Sequence, residues 1–367
     1  MKFTCNTNNL RKVISLVEHN TVRKISLPIL SSILLTVEKG RLTLTTTNLE
    51  IATEAWVGAK VFDEGRVAVP AHILSSYLQT VKADQIHINS QKEHLVLTTP
   101  ERRIIIKGYP VEDFPLVPKV QEDAHCTLSA GEVYRALSQV IFAAATTSIK
   151  PELSSVLFRF LKTSLKVVAT DSFRLSETTI PGSFADMQSM QYFLLPIHTA
   201  SELLRVLDAD MRDLEVTVTK GQILFATETF RIVSRLVEGA FPDYERIIPA
   251  KFTTRVVLAK SDFQETLRGI GLFTSKLNDV SLKLHPELEE LEVTTANADV
   301  GEYFSKLKSE MTGEELSLSF NYRYLIEGVQ QIKSEKIFLG FSGAHGPVLI
   351  KHSDSEEYIY IAMPMKV

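Results

Sequence analysis

Leu153-Ser154-Ser155-Val156-Leu157, followed by Leu165-Lys166-Val167-Val168-Ala169-Thr170-Asp171, is one of three copies of a single pattern. An earlier copy runs from Leu30-Ser31-Ser32-Ile33-Leu34 through Leu42-Thr43-Leu44-Thr45-Thr46-Thr47-Asn48-Leu49. A later one runs from Val280-Ser281-Leu282-Lys283-Leu284 through Leu291-Glu292-Val293-Thr294-Thr295-Ala296-Asn297. Asn48 and Asp171 lie 123 positions apart and Asp171 and Asn297 lie 126 apart. A period this long denotes repeated domains, not a short-repeat solenoid. The flanking sequence keeps the same step. Phe3-Thr4-Cys5 precedes Leu10 as Cys126-Thr127-Leu128 precedes Val133 and Val256-Val257-Leu258 precedes Phe263, while Val69-Pro70, Leu195-Pro196 and Phe320-Asn321 each close a strand that runs into an apolar helix. Tyr109 to Phe114-Pro115 and Val237 to Phe241-Pro242 end the first two units alike. The expected domains are 1–122, 123–250 and 251–367.

Within a unit the order is strand, helix, several strands, then the same again. Leu10, Val13, Ile14 and Val17 recur at helical spacing, and Ile73, Leu74, Tyr77, Leu78 and Val81 form a second apolar stripe. Ile86-His87-Ile88, Leu95-Val96-Leu97 and Arg103-Ile104-Ile105-Ile106-Lys107 read as strands separated by turn residues. Each unit is therefore two β-α-β-β-β halves. Strands outnumber helices and join as hairpins, which predicts an α+β fold with antiparallel sheets and helices on one face.

The 367 residues, 44% of them apolar, suffice for a core in each of three domains. No apolar run reaches the roughly 18 residues that span a bilayer, and the opening Met1-Lys2-Phe3-Thr4-Cys5-Asn6 lacks the apolar stretch of a signal peptide. A soluble cytoplasmic protein without a membrane partner is expected. Cys5 and Cys126 fall in first strands of different units and read as small reduced hydrophobes.

Catalytic signatures are missing: there is no phosphate loop, no G-x-G-x-x-G after a strand, no H-E-x-x-H, no C-x-x-C and no G-x-S-x-G elbow. The histidines are scattered, with His345 and His352 flanking a strand and no Cys near them, so neither a metal nor a cofactor is expected. Gly343-Ala344-His345-Gly346 reads as a tight hairpin. Asp171, beside Arg174, recurs as Asn48 and Asn297, which points to a turn cap and not an acid catalyst.

The net charge of −4 argues against a nonspecific nucleic-acid coat. Location matters more than the sum. In the six inferred helical segments (8–20, 71–82, 130–145, 197–208, 260–274 and 322–333) basic residues outnumber acids, the reverse of the remainder. The loops after each unit's first helix carry Arg23 and Lys24, then Lys150, then Lys276, which together suit a surface facing phosphates.

Four separated motifs then resemble the bacterial sliding clamp, the beta subunit of the replicative DNA polymerase. They are Ala169-Thr170-Asp171-Ser172-Phe173-Arg174-Leu175, Gly239-Ala240-Phe241-Pro242-Asp243-Tyr244, Leu27-Pro28-Ile29-Leu30 and the terminal Met363-Pro364-Met365-Lys366-Val367. The resemblance covers the whole chain in register with the repeats. It implies a head-to-tail homodimer of three-domain subunits, closed into a ring with helices inside and antiparallel sheets outside, and double-stranded DNA threaded through without regard to sequence. Retention by topology needs only weak phosphate contacts, for which Arg11, Lys12, Lys24, Arg135, Lys150, Arg205, Arg268 and Lys276 are the candidates. Lys24 matches a basic position of the family, whereas Pro151-Glu152 departs from aromatics found there in some members.

The resemblance also implies the partners: the polymerase catalytic subunit, the clamp loader and repair proteins, each inserting a peptide of the form Gln-Leu-x-Leu-Phe between the second and third domains. Carried over by position, that pocket would use Leu153, Thr170, Ser172, Phe173, Arg174, Leu175, Pro242, Arg246, Ile247, Ile361, Ala362, Met363, Pro364 and Met365. Methionines beside proline can repack around different peptides. Ser172-Phe173 stands where the family often has Gly-His, and the bulkier Phe173 narrows one subsite. Dimer contacts are expected from the apolar edge at Ile104 and Ile106 to Leu272 and Phe273. The rival readings are a non-encircling repeat scaffold and a repeat-built enzyme centred on Asp171 and Arg174.

Overall fold

The computed structural model describes residues 1–367 apart from 22–26, 119, 121–123, 148, 185–186, 188–189, 210 and 366–367. In the first repeat, β1 (Lys2–Asn6), α1 (Thr7–Val17), β2 (Ser32–Glu38), β3 (Arg41–Thr47) and β4 (Ile51–Gly58) form one half. After β5 (Lys60–Asp63), the other half is β6 (Gly65–Pro70), α2 (Ala71–Thr80), β7 (Gln85–Gln91), β8 (His94–Thr98) and β9 (Arg103–Ile106). The second repeat has β10 (Ala124–Leu128), α3 (Ala130–Val140), β11 (Ser155–Phe160), β12 (Ser164–Thr170) and β13 (Arg174–Pro181), then β14 (Tyr192–Pro196), α4 (Ile197–Ala209), β15 (Leu214–Val218), β16 (Gln222–Ala226) and β17 (Phe230–Arg235). The third has β18 (Thr254–Ala259), α5 (Lys260–Ile270), β19 (Asp279–His285), β20 (Glu290–Asn297) and β21 (Gly301–Lys308). It ends with β22 (Glu310–Gly313), β23 (Leu316–Asn321), α6 (Tyr322–Gln330), β24 (Lys336–Phe341), β25 (Val348–His352) and β26 (Tyr358–Ala362). The expected sequence of two β-α-β-β-β halves per repeat is thus present three times.

Among the described residues four antiparallel sheets result, in the orders β5-β1-β7-β8-β9, β10-β15-β16-β17-β4-β3-β2-β6, β14-β11-β12-β13-β26-β25-β24-β18-β22 and β21-β20-β19-β23. In every repeat each half gives its first strand to the sheet of the other half: β1 pairs with β7 and β6 with β2, β10 with β15 and β14 with β11, β18 with β24 and β23 with β19. The last strand of a half is where successive repeats join. β4 meets β17, with Arg231 opposite Glu54, and β13 meets β26, with Leu175 opposite Ile361.

These joints give a packing that differs from the threefold repeat of the sequence. The chain divides into two compact units, one made of Met1–Tyr134 with Ser201–Leu236 and the other of Arg135–Ala200 with Val237–Val367. Periodicity along the chain records which segments are alike; it does not record which edges they share.

The local rules behave as expected. Leu10, Val13, Ile14 and Val17 form the buried stripe of α1, and the Asn6 side chain caps that helix by accepting from the Asn9 amide at 3.1 Å. Asn321 does the same for α6. In the second unit Phe263, Phe320, Phe341, Tyr358 and Tyr360 lie in one fully buried cluster. Gly328 lets α6 rest directly on the Tyr360 ring, where a Cβ would collide with it. Gly343, at φ +97°, turns the hairpin between β24 and β25, as its sequence suggested. Cys5 is buried and its thiol is pushed up to about 12 by desolvation, so it stays protonated and unreactive. Cys126 is only partly buried, with its thiol raised to about 11 for the same reason. Among the described residues no helix is long and apolar enough to cross a membrane.

Candidate partner groove and nucleic-acid face

The three copies of the Asn/Asp turn explain how the groove residues are presented. Asp171 Oδ1 accepts from the amides of Phe173 at 2.9 Å and Arg174 at 3.0 Å; Asn48 Oδ1 accepts from Glu50 and Ile51 at 2.9 and 2.8 Å; Asn297 Oδ1 accepts from Asp299 at 3.0 Å. The residue after each of the first two caps takes a left-handed conformation, Leu49 at φ 78° and Ser172 at φ 77°. Phe173 is thereby held at the tip of a rigid turn with 64% of its surface exposed. The capping role expected for Asp171 is observed.

Asp171→Ala should destabilise the full chain by about 2 kcal/mol, because it strips two amides of their acceptor and removes one partner of a mostly buried arginine. Asp171→Asn keeps the cap and should cost about half as much. Urea unfolding of the two variants checks the order; equal losses would mean that the cap contributes nothing.

Strand alternation sorts the expected groove residues onto two faces of the same sheet. On one face Leu175 and Ile361 pack with Leu157, Val168, Leu194 and Tyr244, beneath Val237, Phe241 and Ile248. The covering segment is tied down by the Val237 amide, which donates to Leu194 O at 3.0 Å, and ends in a short 3-10 turn, Tyr244–Ile247. Pro242, Arg246 and Ile247 are exposed on that segment, and Met363 docks beside the turn through its amide, which donates to Phe173 O at 2.9 Å. Met363, Pro364 and Met365 are half-buried, with the Met365 amide donating to Ser319 O at 2.7 Å. Three distant stretches of sequence thus converge on one loop-covered face. Lys366 and Val367 lie outside the described residues.

Arg174 and Ala362 sit on the opposite, helix-facing side, a correction to their placement in the groove. Arg174 Nε donates to Asp171 Oδ2 at 3.0 Å, its Nη1 to Glu327 of α6 and its Nη2 to Phe142 O at 2.5 Å, with the guanidinium 4.5 Å over the Tyr324 ring. It ties the turn to α6 and is not positioned to touch a guest on the loop face. Leu153 and Thr170 are buried, and Leu175 and Ile361 have no exposed surface. Glu327, Phe142 and Tyr324 escaped the sequence reading because nothing in their spacing links them to residue 174.

A cleft of about 480 Å³ adjoins this surface, lined by Leu157, Arg159, Phe160, Leu161, Gln191, Tyr192 and the 241–245 segment. Of the expected groove residues only Pro242 lines it.

The basic candidates divide into engaged and exposed. Arg11 gives Nε to Leu78 O at 2.7 Å and Nη2 to Val81 O, and Arg205 gives Nη1 to Ser15 O at 2.8 Å and Nη2 to Leu16 O at 2.5 Å while pairing with Glu202. Both satisfy carbonyls at helix C-termini. Arg135 lies 3.7 Å from Glu357. Arg11 and Arg205 thereby clamp one helix end to its neighbour. Lys12, Lys150, Arg268 and Lys276 are exposed, and Lys24 lies outside the described residues.

The expected dimer edge also needs correction. Ile104 is half-buried but Ile106 is only 4% exposed and belongs to the core, whereas Ile105 is 52% exposed on the other face of β9. Leu272 is 75% exposed, and the Phe273 ring lies 5.9 Å from that of Tyr303 on β21.

Comparison with known proteins agrees with this architecture over the full length. Residues 1–118, 127–243 and 245–366 match the N-terminal, central and C-terminal domains of the DNA polymerase III beta subunit. The beta sliding clamp of Pseudomonas aeruginosa is 26% identical over 373 residues, with 100% of both chains covered. That of Streptococcus pneumoniae is 26% identical over 380 residues, with 99% of each covered. The crystal structure of the Pseudomonas aeruginosa subunit superposes with a TM-score of 0.94 at 26% identity over 100% of both chains, and one of the same protein bound to griselimycin gives 0.94 at 26% identity and the same coverage. The chain belongs to the DNA polymerase III beta subunit family, the beta sliding clamps.

Proposed function

We propose that two copies of this chain close head to tail around duplex DNA and tether the replicative polymerase to it, each copy contributing domains 1–122, 123–250 and 251–367. The observation that carries this reading is the rule of the joints. Last strands join β4 to β17 and β13 to β26, while the two remaining last strands, β9 and β21, each end a sheet with an open edge. Pairing β9 of one copy with β21 of the next would unite a five-stranded and a four-stranded sheet into one of nine strands, the size already seen across the β13–β26 joint. Such a heterologous contact, repeated, closes a ring and covers both of these open edges.

Alignment of the joints gives the register. Ser234 faces Ile51 and Ala362 faces Arg174 within the chain, and by equivalence Ile106 would face the partner's Gly301, Ile105 the partner's Glu302, Ile104 the partner's Tyr303 and Arg103 the partner's Phe304. Ile104 then meets the Tyr303–Phe273 aromatic pair, and Arg103 stacks over the exposed Phe304.

Lys12, Lys150, Arg268 and Lys276 give weak, sequence-independent phosphate contacts that weaken with salt and let the ring slide. The loop-covered face of β13 and β26 takes the peptide of the polymerase catalytic subunit, the clamp loader or a repair protein, with Phe173, Pro242, Ile247 and the Met363–Met365 tail as its exposed apolar rim. The chain turns over no substrate, works in the cytoplasm and relies on the loader for ATP chemistry.

The decisive experiment loads the protein on closed circular DNA, measures its residence, then cuts the circle once far from the protein. Residence should collapse on cutting. Equal retention on cut and closed DNA would replace the ring by a non-encircling scaffold.

A further inference from the structure

The cleft beside the groove contains a carboxylate already gripped by two cations. On the loop-covered face Arg159 of β11 lies opposite both Lys166 of β12 and Tyr192 of β14. Arg159 Nη1 is 2.9 Å from Glu245 Oε1, and Lys166 Nζ is 3.9 Å from the same oxygen and 3.0 Å from Glu177 Oε1. Glu245 is not part of the sheet. It projects from the short turn that covers the groove and is 49% exposed on its side chain, whereas Glu177 is buried and fixed. The two cations balance the two carboxylates; without Glu245 the row carries one positive charge in excess.

We propose that this row is a second subsite for the partner peptide, taking a carboxylate side chain that lies outside the apolar anchor, and that Glu245 fills it in the free protein. The assignment rests on the groove reading above. Continuity supports it, since Pro242 belongs to both rims and Leu157 forms the cleft wall while packing with Leu175 and Ile361 under the groove. Charge supports it too, because a guest carboxylate that displaces Glu245 restores neutrality, while a guest amine would face two cations. Tyr192 and Phe241 supply flat apolar walls for the methylenes of such a side chain. Asp243, the other acid on the rim, is occupied by Arg246 at 2.6 Å. Glu245 thus acts as a low-affinity internal competitor, and peptides carrying a suitably placed acid are favoured over those without.

Fluorescence anisotropy on the full-length protein tests this with a labelled Gln-Leu-Ser-Leu-Phe peptide, alone or extended at either end by Asp-Asp or by Asn-Asn. Glu245→Gln should raise the preference for Asp-Asp over Asn-Asn at one end by about three-fold, the size of a partly exposed ion pair. Arg159→Gln should abolish the preference, Arg159→Lys should retain part of it, and salt should erode it. Equal binding of the two extensions by the parent protein and by Glu245→Gln, with the unextended peptide still bound, overturns the subsite while leaving the groove intact. Absence of binding by the unextended peptide overturns the groove and the subsite together.

Discussion

Ile104→Asp should reduce the protein to one-chain mass in solution and abolish its retention on circular DNA. Ile104 lies on β9, opposite Leu97 within its own sheet, and in the proposed register it enters the Tyr303–Phe273 pair of the next copy. A carboxylate there would be desolvated at the joint, at a cost of several kcal/mol. A closed dimer contains the joint twice, so the penalty doubles. Even about 4 kcal/mol in total weakens association roughly a thousand-fold. Sedimentation equilibrium reads the mass, and the residence measurement on closed circles reads the ring. Ile106→Asp is the wrong variant for this purpose because Ile106 sits in the core of its own sheet. Ile105→Asp is the internal control: its side chain emerges on the other face, so it should leave the fold intact and weaken the dimer less. Unchanged dimer mass for Ile104→Asp would refute the β9–β21 joint.

Deleting residues 363–367 should weaken binding of the Gln-Leu-x-Leu-Phe peptide at least ten-fold while leaving the dimer whole. The tail adds Met363, Pro364 and Met365 to a rim whose fixed parts are Phe173 and the 241–248 segment, and apolar anchors of this kind carry about 2 kcal/mol each in peptide recognition. Among the described residues its backbone donates two hydrogen bonds, Met363 to Phe173 and Met365 to Ser319, and β26 ends before it, so removal leaves the sheet standing. Anisotropy with the labelled peptide gives the affinity, and sedimentation of the same sample shows that the dimer persists. Unchanged affinity would remove the tail from the groove. Phe173→Ala offers a second view of the same surface: it opens the rim and should change the ranking of peptides that differ at their final aromatic residue.

The sequence revealed what is periodic and local. The six helices, the three Asn/Asp turns, the Gly343 hairpin and the twofold make-up of each repeat follow from hydrophobic spacing and turn chemistry, because both act within a few residues. What escaped depends on pairing between distant segments. Nothing in the spacing of Phe3 or Val69 says that β1 and β6 trade places between halves, and nothing in Ala169–Leu175 says that residue 174 turns away from residue 175. The second point follows from alternation once the strand is known, and it moved Arg174 and Ala362 out of the groove. Arg11 and Arg205 were read as phosphate contacts from the clamp resemblance and their place on inferred helices; the helix carbonyls that engage them are visible only when helices are packed side by side. The Arg159–Lys166–Glu245 row takes one cation each from β11 and β12, but its third member comes from a segment 79 positions further on than Lys166.

The β4–β17 joint also sets a timetable for biosynthesis. Trp56 at the end of β4 reaches across the joint to Glu228, 172 positions later, so a nascent chain displays the unpaired edge of β4 until that stretch has been made. At ribosomal speeds of about 5–20 residues per second the wait is roughly 10–30 s, long on the scale of strand association. The edge of β13 waits similarly for β26, since Ser176 and Tyr358 are 182 positions apart. On a polysome, neighbouring nascent chains all present the same exposed strand at once, and slower translation through the second repeat would lengthen the interval in which they can pair with one another instead of with themselves.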